Sequence, residues 1–114
     1  MRIVGLQELL TLPNGTLFAE LREPWVFGEL YLKGDNLGGA NNDFWSKSLA
    51  WPDADESGMA FSRLDAMLVD PTVSYPADEG YTRGEYLGET RDYKFLVYEP
   101  ADTAALIELL KEAL

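Results

Sequence analysis

The chain has 114 residues, room for one domain with a single modest core. It carries 20 acidic and 9 basic residues, a formal net charge of −11, and neither Cys nor His. These counts exclude disulfides, thiolate zinc sites, thiol nucleophiles and any triad or metal site built on imidazole, and they disfavour contact with phosphate backbones or anionic membranes.

Leu6, Leu9 and Leu10 recur at helical spacing, which predicts a short helix over 5–11, ended by the Pro13-Asn14-Gly15 turn. The opening stretch MRIVGLQELLTL is greasy, but Gln7 and Glu8 interrupt it. No small-residue cleavage pattern follows, so it does not read as a secretion signal, and the expected location is the cytoplasm. Strands are expected at 16–21 and 25–33. In the second, Val26, Gly28, Leu30 and Leu32 alternate with Trp25, Phe27, Glu29 and Tyr31, and Gly28 marks a bulge or a close approach.

The Gly- and Asn-rich stretch 33–42 reads as a hairpin loop, and DFWSKSLAW (43–51) as a third strand with a polar edge. In 59–70, Phe61, Leu64, Met67 and Leu68 form a helical stripe. Short strands are expected at 72–75 and 83–87, and a strong one at 92–99, stopped by Pro100. Asp102 reads as the N-cap of a final helix whose apolar face is Ala105, Leu106, Leu109, Leu110 and Ala113, with Glu108 and Lys111 pairing across one turn.

This order predicts a single α+β domain over 1–114. Its core is a strongly bent, mostly antiparallel sheet or small open β-barrel, with a short N-terminal helix, a middle helix and a C-terminal helix covering the apolar surface.

Asp53, Asp55, Ser57 and Gly58 spell D-x-D-x-S-G, the opening of many calcium loops. The twelfth position is Leu64, which cannot ligate, and Asp65 comes one residue late. The expected role is a solvated acidic turn in which Glu56 or Ser57 caps the following helix; no metal and no cofactor are expected. Glu20, Glu23 and Glu29 lie on or between adjoining strands and could converge as a carboxylate pair. Ser46 and Lys47 are adjacent in a strand and so point apart. Lys33 precedes its glycines, the wrong order for a phosphate loop.

The densest acidity lies in 52–93, where ten acids face three bases and Tyr75, Tyr81, Tyr86 and Tyr93 are interleaved. Tyr offers contact area at low entropic cost and carboxylates set polarity, a combination suited to gripping a basic protein.

The stretch LPNGTLFAELREPWVFGELYLKGD (12–35), with its L-P-x-G-T turn and F-G-x-L-x-x-K-G strand, resembles small uncharacterised proteins encoded by bacteriophages and prophages. The resemblance implies a cytosolic accessory protein and transfers no active-site residue. With the charge, it implies occupation of the nucleic-acid-binding surface of a host defence or transcription protein.

The expected function is therefore that of a non-enzymatic acidic phage-type accessory protein that binds a basic surface of a host protein, as a nucleic-acid mimic or an anti-defence inhibitor. Asp53, Asp55, Glu56, Asp78, Glu79, Tyr81, Glu85 and Tyr86 would contact a basic protein surface, with no direct nucleic-acid or membrane contact. One alternative is an assembly protein that forms a homo-oligomer through Trp25, Phe27 and Tyr31. Another is a carboxylate enzyme or calcium-dependent module.

Overall fold

In chain order the elements are β1 (Arg2–Gly5), α1 (Leu6–Thr11), β2 (Leu17–Glu23), β3 (Val26–Asn36), β4 (Phe44–Ser48), α2 (Ser57–Val69), β5 (Thr82–Arg83), β6 (Lys94–Tyr98) and α3 (Pro100–Lys111). The computed structural model describes residues 1–23, 26–38, 43–49, 57–77, 82–83 and 92–114, without the side chains at 22, 23, 57, 82 and 83. The strands form one open sheet in the order β1-β6-β2-β3-β4-β5, and every neighbouring pair is antiparallel. The α+β class and all three expected helices are present.

Strand β1 was not expected from the sequence. Four residues are too few to show a period, and among the described residues β1 pairs with β6 alone, from Arg2↔Val97 to Gly5↔Lys94. The last strand thus lies between β1 and β2, and α1 spans the gap. At 72–75 there is no strand, and of 83–87 only Arg83 is described, in the two-residue β5.

The register explains which side chains meet. Strand β2 pairs with β6 without interruption from Leu17↔Tyr98 to Leu21↔Lys94. On its other side β2 pairs with β3 at Ala19↔Leu30 and then Leu21↔Phe27, so Gly28 and Glu29 together oppose Glu20. That is a β-bulge at the expected glycine. It breaks the period of two, so Phe27 shares the face of Leu21 and Leu30 and not that of Glu29 and Tyr31, a correction to the expected alternation.

The buried core comprises Val4, Leu9, Phe18, Phe44, Phe95 and Val97, with Leu6, Leu10, Leu12, Tyr31 and Tyr93 packed against it. Phe18 is its centre, with ring centroids 5.6 Å from Tyr31, 5.7 Å from Phe44 and 5.7 Å from Phe95. Helix α1 closes this face by burying Leu9. In β4 it is Phe44, Ser46 and Ser48 that point inward, while Trp45 is exposed. The polar edge expected there is instead an interior strand, paired to β3 and β5.

The other helices cover less than expected. In α2, Ala60 is buried and Leu64 and Met67 half-buried, but Phe61 and Leu68 face outward. The expected stripe is therefore divided between two faces. Helix α3 buries no residue completely; it docks through Asp102, Thr103 and Leu106, while Ala105, Leu109, Leu110 and Ala113 are exposed. Its N-cap is Glu99, not Asp102, which sits at the third helical position and accepts the Glu99 N–H at 3.0 Å. Lys111 does pair with Glu108, at 2.8 Å.

Candidate functional site

The expected contact residues Asp53, Asp55, Glu56, Asp78, Glu79, Tyr81, Glu85 and Tyr86 all lie outside the described residues, as does Trp25. Two of the interleaved tyrosines are described. Tyr75 lies under the Arg63 guanidinium, 4.8 Å from ring centroid to carbon. Tyr93 stacks on Phe95 with centroids 6.4 Å apart and belongs to the core edge, not to an outer surface. Tyr31, expected on an oligomer contact, is half-buried against Phe18.

In the D-x-D-x-S-G pattern, α2 begins at Ser57, the fifth position. Gly58 and Leu64 are thus inside a helix, where a calcium loop would still be wrapping its ion. Among the described residues, no group of three or more acids is placed to hold a metal ion.

On the inner face of the sheet a polar line runs along β3 and β4. Tyr31 pairs with Ser48 and Lys33 with Ser46 across the strands. The Tyr31 and Ser48 hydroxyls each donate to Glu29 Oε2 at 3.2 Å. The bulge brings Glu20 opposite Glu29 in the strand register, so two of the three carboxylates expected to converge lie on neighbouring strands at the same level; the side chain of Glu23 is outside the described residues.

The Lys33–Ser46 juxtaposition was missed because its signal is a cross-strand register, not adjacency. Both residues are buried, at 2% and 5% exposure, and the ammonium donates to the Gly34 carbonyl at 3.2 Å. Burial pushes the Lys33 pKa down, and nearby Asp35 partly opposes this. A nucleophile needs access, and this pair has almost none.

A groove of about 570 Å³ lies between the Pro13–Thr16 turn, the end of β6 and the first turns of α3. Gly15 takes a φ of 88°, and the Thr16 hydroxyl donates to the Pro13 carbonyl at 2.7 Å, so the L-P-N-G-T motif builds a wall of this groove. Arg2 stands at the rim, but its guanidinium is held by Glu8 and, at 3.4 Å, by Glu99. The groove is apolar and offers no uncommitted charge.

The outer surface has a different character. The exposed acids Asp65, Asp70 and Glu112 have no cation paired to them among the described residues. Arg2, Lys94 and Lys111 are each held by carboxylates of the chain. Beside the acids are large exposed apolar residues: Phe61, Leu68 and Val69 on α2, and Ile107, Leu109 and Leu110 on α3. The acids spread over α1, α2 and α3, so the described part of the field is not confined to 52–93. Among the described residues no helix is long and apolar enough to cross a membrane. Comparison with family models, with curated proteins and with solved structures found no match.

Proposed function

We propose that this chain is a non-enzymatic binding protein that presents negative potential to a basic surface of another protein. The observation that carries the reading is the asymmetry of charge commitment. Arg2, Lys94 and Lys111 are neutralised by the chain itself and Lys33 is buried, while Asp65, Asp70 and Glu112 face solvent with no cation paired to them among the described residues. With a net charge of −11, the outward field attracts cationic surfaces and repels nucleic acid. The resemblance of residues 12–35 to phage and prophage proteins supports a host protein as the target, one whose basic surface otherwise holds nucleic acid.

The test is displacement. Immobilised protein is used to capture proteins from a bacterial lysate, and the captured material is assayed for labelled duplex DNA binding with and without added free protein. Competitive loss of DNA binding, weakened by salt, is the expected result. Capture no better than on immobilised polyglutamate would overturn the reading.

The exposed aliphatic run Ile107, Leu109 and Leu110 favours a second reading, a homo-oligomer assembled through α3. Sedimentation of the purified protein separates the two, since an assembly protein forms a stable oligomer without any partner.

A further inference from the structure

Helix α2 is apolar on both sides, where an ordinary surface helix is apolar on one. Ala60, Leu64 and Met67, at i, i+4 and i+7, form its inward side. Phe61, Asp65, Leu68 and Val69, at i, i+4, i+7 and i+8, form its outward side. Leu68 is 83% and Val69 86% exposed, and Phe61 is 57% exposed. Surface helices normally place charge there and aliphatic residues beneath.

We infer that the outward face of α2 is a docking surface for a cationic amphipathic segment of another protein, which seats aliphatic residues on Leu68 and Val69 and a Lys or Arg on Asp65. The inference rests on the acidic-binding reading and says where on the molecule that binding occurs.

Charge complementarity selects the occupant. Asp65 lies one helical turn from Phe61 and from Leu68 and Val69, so its carboxylate sits inside the apolar patch. The one base of the helix, Arg63, is turned away and lies over the Tyr75 ring. Asp70 follows Val69 at the end of the helix and is itself exposed. Its carboxylate accepts the Thr72 N–H at 2.9 Å and the Thr72 hydroxyl at 2.7 Å, which hold its pKa below the ordinary carboxylate range. In sequence the helix lies between Asp53, Asp55 and Glu56 on one side and Asp78 and Glu79 on the other. A second copy of a chain with net charge −11 would meet the same acids with its own, so self-docking is opposed by repulsion. Membranes and nucleic acids present anions, the wrong sign. A partner with apolar residues and Lys or Arg on one helical face satisfies both components of the patch.

The test titrates ¹⁵N-labelled protein with three synthetic helical peptides: Leu/Lys with an apolar face, Lys/Gln of equal charge without one, and Leu/Glu. The expected result is that Leu/Lys binds most tightly and shifts the amides around Asp65, Leu68 and Val69. The Leu68→Ser, Val69→Ser double variant, both changes being at exposed positions, weakens it about tenfold, the scale of losing one or two buried aliphatic contacts. Asp65→Lys weakens it further at low salt than at high salt. If Leu/Lys binds but the shifts lie elsewhere and the variants bind equally, the α2 surface is overturned while the acidic-binding reading stands. If neither cationic peptide binds at low salt, both fail together. Equal binding of Leu/Glu, or a dimer in sedimentation that the double variant dissolves, overturns the cationic occupant.

Discussion

The ammonium of Lys33 lies 5.9 Å from the centroid of the Phe44 ring, on the buried face of the sheet. A neutral carbonyl and an aromatic face are modest compensation for removing a cation from water. Lys33→Met keeps the volume and removes the charge, so it is expected to raise stability by about 1 kcal/mol at neutral pH. The pH dependence has a definite sign. Burial lowers the folded-state pKa of Lys33. Between that value and the unfolded one, the unfolded chain binds the extra proton, so stability rises as pH climbs through the window; below it the cost is constant. Urea melts from neutral to alkaline pH should show this rise in the parent and not in Lys33→Met.

Phe18 touches three aromatic rings and is 1% exposed. Phe18→Ala leaves a cavity that neighbours on three strands cannot all collapse into, and should cost about 3–5 kcal/mol. Phe18→Leu retains most of the volume and should cost less than half as much. Chemical denaturation of both variants checks the ordering.

Asp102 accepts hydrogen bonds from the Met1 amino group at 2.6 Å and from the Glu99 N–H at 3.0 Å, and these hold its pKa below the ordinary range, the amino group contributing most. A depressed carboxylate stabilises the fold above its unfolded pKa, and this contribution is lost as pH falls through the folded value. Asp102→Ala should lower the melting temperature at neutral pH and leave a shallower acid decline. Thermal melts from neutral pH to strongly acidic pH give both readouts.

The two faces of α2 should respond oppositely to polar substitution. Leu68→Ser exposes nothing new and is expected to change stability by no more than about 0.5 kcal/mol. Ala60 is 8% exposed, and Ala60→Asp buries a carboxylate, expected to cost about 1–3 kcal/mol. Denaturant midpoints distinguish them; equal effects would mean that α2 has been assigned the wrong inward face.

Local chemistry made several elements legible. Gly28 announced the bulge because glycine packs no side chain into the pleat, and Lys94–Tyr98 read as a strand from its aromatic and β-branched residues. What was illegible was relational. In α2 the four apolar residues Phe61, Leu64, Met67 and Leu68 span a broad arc, and nothing local says which half of that arc meets the protein. In β4 the aromatic Trp45 was as eligible for the interior as Ser46, and the neighbouring strand chose Ser46. The candidate docking surface was legible as an acidic region and illegible as a face.

By itself the sequence determined the α+β class, the three helices, most of the strands, the absence of imidazole and thiol chemistry, and a net charge of −11. Each follows from composition or from periods within one segment. Tertiary structure alone decided that β6 enters between β1 and β2, that Lys33 is buried beside Phe44, and that Leu68 and Val69 face water. Those outcomes depend on strand register and on which surfaces compete for the core, and both are set by contacts between residues far apart in the chain.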